Sequence, residues 1–184
     1  LYRTDDHNKL IKASNFFKKP LINGLSNLSH PCQILADIFT LQKHFKNNKE
    51  IIISWFGDMN NVLYSFFEIS NLISNIKINV FTSNRILDDC LPKFPKSESV
   101  SFHTKLDKKI IEMSDCIMTD VYQSMNDKKD NNKEKELINF QVNSELMSLT
   151  KENCVFCHCL PSKIDSEVTR EVIDGKKSIV LEQA

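Results

Sequence analysis

The stretch Ile51-Ile52-Ile53-Ser54-Trp55-Phe56-Gly57-Asp58 decides the fold class of this 184-residue sequence. Residues 51–56 form a nearly continuous apolar and β-branched run, which is typical of a strand buried on both faces. Gly57 and Asp58 end the run, as turn-forming residues do. We therefore expect a central parallel strand whose carboxyl end is followed at once by polar residues.

Helical and strand patterns alternate on both sides of this strand. The segment Ser29-His30-Pro31 offers a helix start, and apolar residues at helical spacing continue the helix to about Lys46. Its predicted apolar stripe faces the sheet and comprises Ile34, Leu35, Ile38, Phe39, Leu41 and Phe45. Further helices are predicted at about 60–74, 105–113 and 133–144, and further strands at 20–25, 77–81, 100–103, 116–121, 154–159 and 178–181. This alternation predicts an α/β fold with a doubly wound, mainly parallel, Rossmann-like sheet and helices on both faces.

The composition narrows the classes of function. Basic and acidic side chains balance at 24 each, and 41% of the residues are hydrophobic. This balance argues against disorder and against a polyanion-binding surface, so we expect no nucleic-acid partner. No run approaches the 18 or so apolar residues of a membrane span, so we expect no membrane partner either. The length is that of one domain, and we predict a single domain over residues 1–184.

Three polar clusters follow predicted strands. They are Asp58-Met59-Asn60-Asn61, Asp120 to Met125, and His158-Cys159-Leu160-Pro161. In doubly wound sheets ligands bind at the carboxyl ends of the strands, where such clusters meet. We therefore expect the functional site there.

Two of the candidate groups have an ordinary structural interpretation as well. His30 and Gln33 place an imidazole and an amide near a helix N-terminus, which favours a phosphate or a carbonyl oxygen. By its residues alone, however, this segment reads more simply as a cap with a surface histidine. Asp120 and a hydroxyl four residues later, at Ser124, would suit a ligand with a cationic amine. Asp120 could instead simply start a turn.

The six cysteines point to a reduced, cytoplasmic protein, because three of them lie within six residues and suit no disulfide framework. The run from Cys154 to His158 has the spacing of a c-type haem attachment site and also suggests zinc. We favour neither and predict no metal site, because no second Cys/His pair completes one. Cys154 and Cys157 are predicted to be core thiols, whereas Cys159 is predicted to lie at the rim, where it either contacts a ligand or is structural.

Taken in order, these motifs resemble the ornithine-binding half of the ornithine carbamoyltransferase family. The resemblance runs over essentially the whole chain. Its motifs are His30-Pro31-Cys32-Gln33 (H-P-x-Q), residues 54–61 (S-W-x-G-D-x-N-N), residues 120–125 (D-x-x-x-S-M) and residues 158–161 (H-C-L-P).

The resemblance implies carbamoyl transfer from carbamoyl phosphate to the δ-amine of L-ornithine. It assigns His30 and Gln33 to the carbamoyl group, and it places Cys159 and Leu160 at the reacting centre. The residues implied to hold the α-amino and carboxylate groups of ornithine are Asn61, Asp120, Ser124 and Met125. Asp120 and Cys159 together could take the proton of the amine. Positioning and oxyanion stabilisation suffice for this chemistry, so no cofactor is expected.

The sequence departs from the family pattern in two respects. Asn126 stands where the family's Ser-Met pair is usually followed by Gly, which predicts altered flexibility of that loop. The family's phosphate-binding Ser-x-Arg-Thr loop and a late arginine are absent, so we expect one lobe of the enzyme, inactive alone and a homotrimer when full length. The alternatives are a sister enzyme acting on putrescine, aspartate or an acylated ornithine, or a non-catalytic binding or assembly domain.

Overall fold

The computed structural model describes residues 1–46, 50–123 and 130–184. Near the N-terminus, β1 (Tyr2–Arg3) and β2 (Asn23–Leu25) pair in parallel in a small sheet of their own. The strand predicted over 20–25 is therefore shorter than expected and lies outside the main sheet. Helix α1 (His7–Ser14), which the sequence analysis does not predict, connects the two strands, and Asp6 caps it by accepting the Asn8 N–H.

The main sheet has five parallel strands flanked by helices. They are β3 (Ile51–Phe56), β4 (Ile76–Phe81), β5 (Val100–His103), β6 (Cys116–Thr119) and β7 (Val155–His158). Their spatial order is β5-β4-β3-β6-β7, so β3 is the central strand. The predicted doubly wound α/β fold is confirmed.

Helices alternate with these strands along the described chain. After α1 they are α2 (Pro31–His44), α3 (Asn61–Ser70), α4 (Asn84–Cys90), α5 (Lys108–Met113), α6 (Asn131–Leu137), α7 (Ser144–Ser148), α8 (Arg170–Ile173) and α9 (Val180–Gln183). Single 3₁₀ turns follow α4, at Leu91–Lys93, and α6, at Ile138–Phe140. No helix within the described ranges has both the length and the apolar character needed to cross a bilayer.

The strand order reverses between β3 and β6. From β3 the chain builds β4 and β5 toward one edge, and it then returns to place β6 on the other side of β3. A crevice opens at such a switch point because the two connections leave in opposite directions, and this is where doubly wound sheets bind ligands.

Aromatic side chains fill the core around the central strand. Trp55 and Phe56 are fully buried, and the ring of Phe56 stacks on that of Phe81 with a centroid distance of 4.6 Å. Phe66 of α3 meets Trp55 edge to face at 6.2 Å. Burial of both faces of β3 explains its nearly continuous apolar run.

Three predictions from periodicity are wrong. Leu35 and Phe39 of the predicted apolar stripe are 61% and 69% exposed, because the buried face of α2 is rotated toward Asp37 and Thr40. Residues 178–181 do not form a strand: Ser178 makes only one bridge, to Phe156, and α9 begins at Val180. The helix predicted over 133–144 ends at Leu137, where a 3₁₀ turn follows. In each case, tertiary packing overrides the local pattern.

Candidate active site at the switch point

Strand register aligns the polar clusters at one edge of the sheet. Phe56 pairs with Thr119, and Thr119 pairs with His158, so the three strands β3, β6 and β7 end level with one another. Asp58, Asp120 and Cys159 follow directly beyond these ends. The prediction that these clusters meet is confirmed for the part of each that the structure describes.

The turn after β3 is possible only with glycine. Gly57 has φ +117°, and a Cβ on it would lie 2.7 Å from Cε1 of Tyr122. The indole Nε1–H of Trp55 donates to the Asp58 carbonyl at 2.8 Å, and the Asp58 carboxylate pairs with Lys133 of α6. This turn is therefore fixed by backbone conformation, by a buried indole and by an ion pair.

Asp120 is held by two hydrogen bonds at the switch point. Asn60 Nδ2 donates to its Oδ2 at 2.7 Å, and the Val121 N–H donates to its Oδ1 at 2.9 Å. Asn60 also caps α3, since its Oδ1 accepts the N–H groups of Val62 and Leu63. The motif over residues 54–61 contains Asn60, but the sequence alone assigned this residue no role. An asparagine just before a helix start is nevertheless a typical N-cap.

Burial makes the Asp120 carboxyl group a strong candidate for binding a cation. The residue is only 8% exposed, and desolvation raises its pKa although His158, the Val121 N–H and Asn60 all act to lower it. A bound ammonium group would stabilise the charged form and so reverse that rise. This environment suits the amine-bearing ligand that the sequence predicts.

The loop after β7 is tied to the buried His158 side chain. His158 Nδ1 accepts the Leu160 N–H at 2.9 Å, so Nε2 carries a hydrogen and donates to Glu167 Oε1 at 3.0 Å. The same Glu167 oxygen accepts the Lys163 N–H at 2.6 Å. Glu167 is completely buried, and no motif or spacing in the sequence singles it out.

These contacts hold the start of the loop in an unusual conformation. Leu160 has φ +45°, a left-handed conformation that a leucine seldom adopts, and its N–H bond to His158 helps to hold it. Cys159 is fixed between the strand end and this residue. Leu160 itself is 37% exposed and so available to a ligand.

Cys159 directly follows the last residue of β7, and the residue as a whole is half-buried. Burial raises its pKa well above the ordinary value, and the carboxyl groups of Asp120 and Asp37 raise it further. The thiol is therefore protonated at neutral pH and can donate a hydrogen bond. Cys154 and Cys157 are buried, which confirms their prediction as core thiols.

His30 and Gln33 lie together at the start of α2. His30 is the N-cap residue, but its side chain makes no capping hydrogen bond. The backbone N–H of His30 donates to Ser65 Oγ at 2.8 Å. The imidazole Nδ1 is buried and has no partner among the described residues, and burial together with Arg3 lowers the His30 pKa. The structure thus leaves a neutral imidazole at this helix start, with its buried Nδ1 unpaired among the described residues.

Of the residues predicted to bind the amino acid, Asn61 lies in the described part of the chain, at the start of α3. Asn61 Nδ2 donates to the Ser26 carbonyl at 2.8 Å, which ties the start of α3 to the segment before α2. Ser124 and Met125 lie outside the described residues, as does Asn126. Among the described residues, no group of three or more His, Cys, Asp or Glu side chains could hold a metal ion.

Comparison with known proteins identifies the family. Residues 49–184 match the model of the Asp/Orn binding domain of aspartate/ornithine carbamoyltransferase, and residues 1–43 match that of the carbamoyl-P binding domain. The chain belongs to the aspartate/ornithine carbamoyltransferase family. His30 and Gln33 lie in the range that matches the carbamoyl-P binding domain, and Asp120 and Cys159 lie in the other.

Individual carbamoyltransferases resemble the chain along its length. It is 36% identical to ornithine carbamoyltransferase of Rhodopseudomonas palustris and 34% identical to that of Acinetobacter baylyi, and each match covers 100% of this chain and 60% of the relative. The solved ornithine carbamoyltransferase of Burkholderia thailandensis matches 98% of this chain and 58% of its own, with 30% identity and a TM-score of 0.84. The chain thus spans about 60% of the length of these carbamoyltransferases.

Asp37 gives this family member an unusual expected pH dependence. Burial raises the Asp37 pKa from 3.8 to about 7, so between these values the folded state keeps a proton that the unfolded state releases. The contribution of Asp37 to stability is therefore fully present below about pH 4 and is lost as the pH rises through 7. The free energy of unfolding of wild type relative to Asp37→Asn is expected to grow by about 2–3 kcal/mol from pH 8 to pH 5. Urea unfolding at both pH values measures this difference, and a difference that stays flat or shrinks would refute the raised pKa.

Proposed function

We propose that this chain supplies the ornithine-binding half of an ornithine carbamoyltransferase. In the proposed reaction the neutral δ-amine nitrogen of L-ornithine forms a bond to the carbamoyl carbon of carbamoyl phosphate, which gives a tetrahedral intermediate. The bond from that carbon to the phosphate oxygen then breaks, phosphate leaves with the electron pair, and the amine nitrogen gives up a proton. The products are L-citrulline and inorganic phosphate.

The buried Asp120 carboxyl group is the observation that carries this proposal. It lies at the switch point, both of its oxygens are held, and the Cys159 loop begins beside it. A carboxylate in this position attracts the α-amino group of an amino acid and disfavours a substrate with two carboxylates, such as aspartate. Asn61, Ser124 and Met125 are proposed to bind the rest of the amino-acid backbone.

The carbamoyl group is proposed to lie between the start of α2 and the start of the Cys159 loop. His30 and Gln33 would hold its oxygen and amide, and a neutral imidazole suits this task because it donates a hydrogen bond without adding a charge. Cys159 and Leu160 would contact the reacting atoms. Since the Cys159 thiol keeps its proton at neutral pH, Asp120 is the better candidate to accept the proton of the amine.

Several broader proposals follow from the same resemblance. Positioning and hydrogen bonding suffice for this reaction, so we propose that no cofactor takes part. Although residues 1–43 and 49–184 match two different domain models, we propose that the 184 residues pack as one domain, because α2 contacts α3 and α9. A homotrimer and a cytoplasmic location remain proposals as well; all six cysteines are free, in keeping with a reducing compartment.

Calorimetry on the complete protein that we propose contains this chain tests the function. With phosphonoacetamide present as a stable analogue of carbamoyl phosphate, ornithine is expected to bind saturably, and putrescine and aspartate are expected to bind at least about tenfold more weakly. The 184-residue chain alone is expected to form no citrulline. Preferred binding of putrescine would indicate a sister enzyme, and binding without transfer to any amine would indicate a non-catalytic domain.

A further inference from the structure

Asp37 occupies a place on α2 where an apolar residue would be expected. Its side chain is completely buried, on the same helix face as Ile34, Ile38 and Leu41. Burying a carboxyl group is costly, and apolar residues of similar size usually give equal or greater stability at such positions. Packing alone therefore does not account for Asp37.

The Asp37 carboxyl group fixes the orientation of the Gln33 amide one helical turn earlier. Gln33 Nε2 donates to Asp37 Oδ1 at 2.9 Å. Because Asp37 Oδ1 accepts from Gln183 as well, it acts as an acceptor, and the Gln33 amide turns its NH₂ group toward it. Gln33 Oε1 is then left as an acceptor, and none of the described residues donates to it. An acceptor at this place can receive an N–H of a carbamoyl group.

The same carboxyl oxygen connects Gln33 to the far side of the site. Gln183 of α9 donates its Nε2 to Asp37 Oδ1 at 2.7 Å, and its Oε1 accepts the His158 N–H at 3.0 Å. Gln183 is only 3% exposed, so the connection is shielded from water. His158 is the last residue of β7 and directly precedes Cys159. A continuous set of hydrogen bonds thus runs from the carbamoyl-side amide to the start of the Cys159 loop.

Accordingly, we propose that Asp37 is a positioning residue that sets the Gln33 amide for the carbamoyl group and links it, through Gln183, to the Cys159 loop. This inference rests on the proposed function. Asp37 Oδ2 has no hydrogen-bond partner among the described residues, so the carboxyl group is maintained at a cost in stability. In return, the carboxyl group orients the Gln33 amide for binding the carbamoyl group.

Phosphonoacetamide binding to the complete protein tests the proposal without requiring turnover. Asp37→Leu removes the acceptor at similar size and is expected to weaken binding about 10- to 100-fold; Asp37→Asn keeps an acceptor oxygen without the charge and is expected to weaken it about fivefold. In a Gln33→Ala background each substitution is expected to cost less than about threefold, because Asp37 acts through Gln33. Thr40→Val, a buried polar position on the same helix, is the matched control and is expected to stay within about threefold.

The outcomes separate this inference from the proposed function. If Asp37→Asn, which should fold even where Asp37→Leu does not, leaves binding unchanged, or if its effect is the same with and without Gln33, the positioning role is wrong. If wild type binds phosphonoacetamide and the double-mutant coupling is found but no citrulline forms, the inference holds and the proposed reaction is wrong. If wild type does not bind phosphonoacetamide at all, both are wrong.

Discussion

Replacing Asp120 with asparagine is expected to lower kcat/KM for ornithine about 100-fold or more. The substitution preserves the shape of the side chain and can keep one bond to Asn60, but it removes the negative charge that we propose to pair with the α-amino group. Loss of one partner from a desolvated charge pair typically costs 2–5 kcal/mol or more, and each 1.4 kcal/mol corresponds to a factor of ten. Steady-state kinetics on the complete protein measures the change.

The matched control is Asp88→Asn, which removes the same charge from an exposed position on α4. It is expected to leave kcat/KM within about twofold, since surface substitutions away from a site have small effects. The KM for carbamoyl phosphate should change much less than that for ornithine in Asp120→Asn, because the charge is proposed to serve the amino acid. A loss of less than about threefold in kcat/KM for ornithine would rule out Asp120 as its binding partner.

Replacing Glu167 with alanine is expected to destabilise the chain by about 3–5 kcal/mol. The substitution leaves two donors, the buried His158 imidazole and the partly buried Lys163 N–H, without their acceptor, and it opens a cavity beside β7. Glu167→Gln keeps an acceptor oxygen and is expected to cost about 1–2 kcal/mol. Urea unfolding of this chain at neutral pH gives both values.

Glu152→Ala is the matched control for Glu167, because Glu152 is exposed. It is expected to change the free energy of unfolding by no more than about 0.5 kcal/mol. If Glu167→Ala is as mild as this control, the buried pair of His158 and Glu167 does not hold the loop in place. The conformation of Leu160 would then need another explanation.

Strands with continuous apolar runs could be predicted from the sequence almost to the residue. The bounds of β3 agree with the prediction, because a strand buried on both faces is nearly continuous in apolar residues. The bounds of β5 also agree, although this edge strand is only partly buried and alternates apolar with polar residues. The segment 178–181 has the same apolar character but forms the start of a four-residue helix. At that length, neither a period of 2 nor one of 3.6 can be recognised, and packing against β7 decides the outcome.

The proposed site residues could be recognised from the sequence only where they belong to a short recurring motif. Asp120, Cys159, His30 and Gln33 belong to short motifs at strand ends or helix starts, and these have a local signature. The supporting residues have none. Asp37 lies in what reads as an apolar helix face, whereas Glu167 and Gln183 come from later segments that reach the site only through tertiary packing.

The catalysed transfer itself gives the most direct test of the central claim. We would measure kcat/KM of the complete protein for ornithine, putrescine and aspartate side by side, with carbamoyl phosphate saturating and the carbamoylated products separated by chromatography. The account predicts that ornithine exceeds each of the other amines by at least about 100-fold, since a site built for an α-amino group rejects substrates that lack it or add a charge. Equal or faster carbamoylation of putrescine or aspartate would contradict it.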